Sequence, residues 1–291
     1  MTNGGLKYQF AKLNIAEKLI AINVLVFLIN GIFIFLLKLP RNMIMQWFEL
    51  PKEFIEFFAQ PWSIVTYSFF HADFWHILYN MLVLHFAGKI VLNLFGPKKF
   101  INVYFLGVIL GGLFFLLSYN IFPVLLEVNT ALIGASAGVT AVLIFVCAYV
   151  PNTEVRLFIF NIKLWYIGAF WVLLNLIQIP NNENVGGLIA HLGGALLGYF
   201  YARQLTKGKD IGSGFENLLN SFANMFKGKE KKAPLRTVYR KKKTEKKSTV
   251  VHEKENNQRK INAILDKISK SGYESLSKSE KDFLFKAGKE N

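Results

Sequence analysis

Leu19 to Leu37 runs without a single charged residue, and five further apolar runs follow it along a chain of 291 residues. A hydrocarbon layer of about 30 Å takes roughly 20 apolar residues to cross as a helix. The composition agrees: 53% hydrophobic residues, 28 Phe and a mean hydropathy of +0.32 are more than a soluble domain of this length carries in long uncharged stretches. The first run is too long for a signal-peptide core, and Lys38-Leu39-Pro40-Arg41 offers no small-x-small cleavage site, so it is expected to be retained. The fold expected is an all-α polytopic membrane protein with six spans, at Leu19–Leu37, Phe74–Phe95, Phe100–Phe122, Ala131–Val150, Leu164–Ile179 and Val185–Tyr201. Between the first two lies a long connection, Lys38 to His71, whose mixture of apolar and acidic residues suits short amphipathic helices in the interface.

Loop charge gives orientation. Lys7, Lys12 and Lys18 precede the first span, Lys98 and Lys99 follow the second, and Arg156 and Lys163 follow the fourth. The connections after spans three and five carry no Lys or Arg, so both termini are expected on the cytoplasmic side. Lys38, Arg41 and Lys52 in the long first connection run against this rule, although Glu49, Glu53 and Glu56 accompany them.

Three domains are expected: a membrane core at 1–204, a basic linker at 205–255 and a small helical segment at 256–291. Residues 205–291 hold 22 Lys+Arg against 11 Asp+Glu, which is +11 of the chain's +15. Lys227 to Lys247 is basic and of low complexity, and is expected to be flexible and attracted to anionic lipid. Nucleic acid is not an expected partner, because only Tyr239 is interleaved and no recognition motif occurs. Beyond it, Ile261 to Ile268 has helical spacing, and Ser277-x-x-Glu280 is a capping-box signal before Phe283, so a helical hairpin is expected. The single Cys147 sits in an apolar run and reads as packing.

Chemistry concentrates on the even-numbered runs, all of which enter from the outer face in this orientation. Gly134-Ala135-Ser136-Ala137-Gly138 lies in run four, His191 lies near the start of run six, and His71, His76 and Asn80 mark the start of run two. His76 and Asn80 are spaced i, i+4 and share a helix face. Gly187, His191, Gly194 and Gly198 form one stripe that lets another helix approach closely. A lone serine or histidine in such runs is usually packing, but polar groups at one depth on three helices are not a random scatter. His71 reads as structural and His85 as a packing or interfacial residue. His71, Asp73 and His76 do not gather on one helical face, so no metal site is expected.

This pattern resembles the rhomboid intramembrane serine proteases. Gly134-x-Ser136 matches the family's serine motif, Ala190-His191-x-x-Gly194 its histidine region, and His71-x4-His76-x3-Asn80 the start of its second helix; Pro61-Trp62 with Thr66 is similar to the run before that helix. The resemblance covers about residues 15 to 204. It implies a serine endopeptidase acting on transmembrane protein substrates within or near a spanning helix. Ser136 is then the nucleophile, His191 the general base, and His76 and Asn80 oxyanion donors alongside the Ser136 N–H. It implies a dyad without a carboxylate, no cofactor and no metal.

Some features depart from the pattern. Ala137 replaces a commoner Gly, Thr140 stands where some relatives stack an aromatic on the histidine, Ser63 stands for an Arg and Leu92 for a Glu. The C-terminal segment resembles an appended helical region of some bacterial relatives, so the compartment expected is the bacterial inner (plasma) membrane. The rival readings are a transporter or scaffold, which would show repeats and midplane charges, and a catalytically inactive rhomboid-like protein that binds membrane clients.

Overall fold

The computed structural model describes residues 5–40, 42–157, 160–181, 184–226 and 247–289. Six apolar helices occur in the expected order: α1 (Ile15–Leu37), α2 (Phe74–Phe95), α3 (Pro97–Ile121), α4 (Ser136–Tyr149), α5 (Leu164–Gln178) and α6 (Val185–Thr206). Their ends have local causes. Asn14 and Glu17 form a reciprocal capping box at the start of α1, and Asp73 accepts from the His76 N–H at 2.9 Å to open α2. Gly96, at φ +78°, ends α2 and hands directly to Pro97 at the first turn of α3. Asn184 caps α6 by accepting from the Gly187 N–H at 3.0 Å.

Four of these helices, α1, α2, α3 and α6, are long and apolar enough to cross a membrane. The sequence reading of run four as one continuous span needs correction. Ala131–Leu132 is a short strand (β2) paired antiparallel with Leu50–Pro51 (β1), with Leu132 opposite Leu50. Gly134 then turns at φ +118°, and the helix starts only at Ser136. Its 14 residues extend about 21 Å. The helix tolerates that length because protein rather than lipid surrounds it: every residue from Ala137 to Cys147 is buried, packed among α2, α3 and α6. By contrast α5, of 15 residues, buries only Leu164, Gly168 and Asn175, and α1 exposes most of its large apolar side chains.

The α4–α6 pair is the axis of the body. A Cβ on Gly194 would run into the carbonyl oxygen of Ala137, and one on Gly198 into that of Ala141, so only glycine permits this backbone approach. The long connection after α1 contains the expected short helices, Asn42–Met45, Phe54–Ala59 and Ser63–Thr66. Between α4 and α5 the strands β3 (Glu154–Leu157) and β4 (Phe160–Lys163) pair antiparallel.

At the basic end, part of the expected linker is ordered. Helix α7 (Ser213–Phe226) follows α6, Glu216 pairs with Lys98, and Asp210 pairs with Lys99 and accepts from Tyr201 Oη at 2.6 Å. These ion pairs explain why residues 205–226 are not a free linker. The stretch 227–246, holding most of the expected flexible basic tract, lies outside the described residues. The described residues 247–289 belong to a second compact unit. Within it, α8 (Lys247–Ser271) and α9 (Lys278–Lys289) form the expected hairpin, α8 beginning earlier than residue 256. The Ser277/Glu280 capping box is present: the Ser277 N–H donates to Glu280 at 2.7 Å, and the Glu280 N–H donates to Ser277 Oγ at 3.3 Å.

Candidate active site

Ser136 stands at the first helical position of α4, where backbone N–H groups have no intrahelical acceptor and the helix dipole favours negative charge. The turn that delivers it is fixed from outside. The Gly134 N–H donates to the Tyr67 carbonyl at 3.0 Å, and the Ala135 N–H donates to His71 Nε2 at 3.4 Å. Burial, with the neighbouring His76 as second cause, holds the His71 imidazole down to about 3, so the ring is neutral and free to accept there. The structural role read for His71 thus takes a definite form: it is a brace for the serine turn.

The positive φ at Gly134 also clears the site. A methyl group at that position would lie 2.7 Å from His76 Nε2 and 3.5 Å from Ser136 Oγ. His76 Nδ1 accepts from the Ala72 N–H at 3.4 Å, which assigns the ring proton to Nε2, the nitrogen beside the turn. The rings of His71 and His76 meet edge to face with centroids 5.0 Å apart. The chain folding back before α2 therefore brings together two imidazoles that helical spacing alone keeps apart. Asn80 is buried one turn further along α2, and its Nδ2 donates to the His76 carbonyl at 2.8 Å, which leaves one amide hydrogen uncommitted. His85 is exposed on the far side of α2.

His191 reaches the level of Ser136 through backbone register. Gly194, one turn beyond His191, lies against Ala137, the neighbour of Ser136. Ser136, His76 and His191 are all half-buried, so the group is accessible from outside the core. Among the described hydrogen bonds none joins Ser136 Oγ to His191. Separation of that kind is ordinary before a substrate is bound.

His191 instead has a partner the sequence reading missed. Its Nδ1 lies 2.7 Å from Asn175 Oδ1 on α5. Nearby, the Trp171 ring lies with its centroid 6.2 Å from that of His191, and Trp171 Nε1 donates to Thr140 Oγ1 at 3.2 Å. One signal for Asn175 was available: it is the sole amide inside an otherwise apolar stretch from Leu164 to Ile177, and polar groups there are costly. Its partner was invisible, because nothing in the local sequence says which face of α5 meets α6.

A family model described as Rhomboid domain matches residues 59–208, just over half of the chain. A second, described as a family of unknown function (DUF6576), matches residues 239–287. The chain is 28% identical to "Rhomboid protein 1, mitochondrial" of Saccharomyces cerevisiae, across 67% of this chain and 54% of that protein. It is 27% identical to "RHOMBOID-like protein 12, mitochondrial" of Arabidopsis thaliana, across 50% of this chain and 47% of the relative. "Rhomboid-like protein 16, chloroplastic" of the same plant is 24% identical across half of each chain. The chain thus spans about half the length of the curated relatives it matches.

Proposed function

This chain belongs to the rhomboid family, and on that premise we propose that it is an intramembrane serine endopeptidase. The observation that carries the proposal is the joint placement of Ser136 at a helix N-terminus, His76 Nε2 beside its turn, and His191 at the same level on the glycine-packed helix α6. In this reading Ser136 Oγ attacks the scissile carbonyl while His191 Nε2 takes its proton. The carbonyl oxygen becomes an oxyanion held by the Ser136 N–H, His76 Nε2–H and the spare Asn80 amide hydrogen. His191 then gives its proton to the leaving amine, leaving an acyl-enzyme. A water, deprotonated by His191, attacks the ester carbon, and the proton returns to Ser136 Oγ as the acid product leaves.

The substrates in this reading are membrane proteins cut within or near a spanning helix. Both termini are cytoplasmic, on the strength of the loop charges, and the basic tract attracts anionic lipid. Core, linker and C-terminal helices at 1–204, 205–255 and 256–291 remain the proposed functional division, although α7 is ordered within the second. The bacterial plasma membrane is the compartment proposed; the organellar names of the relatives lend it no support. A catalytically inactive client-binding role is the alternative, and the presence of both Ser136 and His191 speaks against it.

The test is cleavage of a single-span model substrate by the full chain in lipid. Ser136→Ala and His191→Ala are each expected to abolish cleavage while leaving the melting temperature nearly unchanged. Cleavage by a Ser136→Ala preparation would reject the proposal.

A further inference from the structure

The orientation of the Asn175 amide follows from its two neighbours. Asn175 Nδ2 lies 2.7 Å from the backbone carbonyl of Trp171, and Oδ1 lies 2.7 Å from His191 Nδ1. A carbonyl oxygen only accepts, so the amide nitrogen belongs on the Trp171 side and the amide oxygen on the histidine side. That oxygen also only accepts, so the ring proton must sit on Nδ1. Nε2 then keeps its lone pair, which is the tautomer a base for a serine hydroxyl requires.

Asn175 is itself held. It is buried, and one helical turn before it Trp171 donates across to Thr140 Oγ1, one turn inside Ser136 on α4. Thr140 is the position where the family resemblance led to an aromatic residue; here the ring beside the histidine comes from α5 instead, with its plane tilted 33° to the imidazole. Two residues spaced i, i+4 on α5 therefore tie the helix of the serine to the helix of the histidine. Outside Leu164, Gly168 and Asn175, α5 buries little, so these polar contacts are a large part of what fixes its register.

We infer that Asn175 is a positioning residue that locks the His191 tautomer and ring angle, with Trp171 on Thr140 as its anchor. The inference rests on the reading of His191 as the base for Ser136. Loss of the acceptor leaves the Nδ1–H without a partner in an apolar interface, where the ring regains its other tautomer and other rotamers.

The experiment uses the full chain in lipid, labelled with ¹⁵N-histidine, with the His191 signals assigned by their loss in His191→Gln. In the unsubstituted protein His191 Nδ1 is expected to show a protonated, pyrrole-type shift and Nε2 an unprotonated one; the reverse overturns the inference without any appeal to an Asn175 variant. Asn175→Leu keeps the branching and the number of heavy atoms but removes the acceptor. It is expected to lower kcat by about 10–100-fold with KM within about twofold, and to populate the Nε2–H tautomer. Asn175→Asp restores an oxygen toward Nδ1 and is expected to recover most of that loss and the original tautomer. Trp171→Phe, which keeps a ring but loses the Thr140 bond, is expected to cost about 3–10-fold. An unchanged kcat in Asn175→Leu, or equal losses in Asn175→Leu and Asn175→Asp with the tautomer undisturbed, sinks the positioning role. Parallel assays of Ser136→Ala separate the two claims: cleavage surviving there sinks the protease reading, whereas its loss beside a fully active Asn175→Leu sinks this inference alone.

Discussion

The helical body and the C-terminal hairpin solve the packing of helices by different means. In the body, α4 and α6 meet backbone to backbone at Gly194 and Gly198, and α4 carries no charged side chain with which to pair. In the hairpin, α8 and α9 are joined by Lys267–Glu280 at 3.0 Å, supported by Lys281–Glu274 at 3.0 Å and by the Ser277/Glu280 cap, while a Cβ on Gly288 would meet nothing within 4 Å. The first arrangement is steric and intolerant of one added carbon. The second is a small apolar contact, with Ile264 and Leu276 buried, flanked by exposed ion pairs that salt screens, so each of those pairs is worth little. The proposed pairing of Ser136 with His191 across two helices requires the first kind of interface, because a shift of about 1 Å between them would be costly to that chemistry.

The sharpest way to break this contrast is Gly194→Leu. Its side chain has nowhere to go but into the Ala137 carbonyl, so folding of the body is expected to fail, seen as loss of a cooperative melt and of all cleavage. A variant that still folds and turns over would mean the α4–α6 contact is looser than described. Next comes Gly134→Ala, which combines a φ of +118° with a methyl 2.7 Å from His76 Nε2. A fall in kcat of about 100-fold or more is expected, with only a few degrees lost in Tm, since the strain of about 1–3 kcal/mol is confined to the serine turn. Equal kcat in the two proteins would show that the turn has no part in the chemistry.

Asn80→Ala is expected to do less. Its amide already bonds the His76 carbonyl, so one hydrogen at most serves an oxyanion, and a loss of about 10-fold in kcat with little change in KM is the outcome foreseen. A large fall in Tm with kcat intact would assign Asn80 to helix structure.

The smallest effect separates the two units by pH. The His71 imidazole, held from 6.5 down to about 3 by burial and then by His76, stays neutral in the folded body. The unfolded chain takes up that proton first, so this contribution to stability is full above about pH 6.5 and is lost as pH falls toward 3. Glu280 is held from 4.5 down to about 2 by the Ser277 N–H, then by Lys267; its contribution is full above about pH 4.5 and is lost as pH falls toward 2. Acidification of the full chain is therefore expected to lower the body's melting temperature before α9 loses amide protection, and His71→Asn is expected to blunt the first change. Loss of α9 protection at pH 6, with the body unaffected, would contradict both assignments.

How far the sequence carried this account depended on whether a feature was local. Helix positions were legible because long apolar runs and some caps are written in nearby residues, as at Leu19–Leu37 and Ser277/Glu280. Rhomboid membership was legible because its motifs are contiguous. The late start of α4 was not, since it depends on Ala131–Leu132 pairing with Leu50–Pro51, some 80 residues away. Nor was the order in residues 205–226, which rests on Lys98 and Lys99 reaching back to Glu216 and Asp210. Asn175 is the instructive miss: its cost in an apolar helix was visible, but its meeting with His191 is a property of helix packing alone.

The central claim is that Ser136 is a nucleophile made reactive by His191. Its most direct test is to treat the full chain in lipid with a fluorophosphonate and to locate the adduct by peptide mass spectrometry. A single covalent adduct on Ser136 is expected, lost in Ser136→Ala and slowed by at least about 100-fold in His191→Ala. Labelling at another serine, or undiminished labelling without His191, would contradict the account.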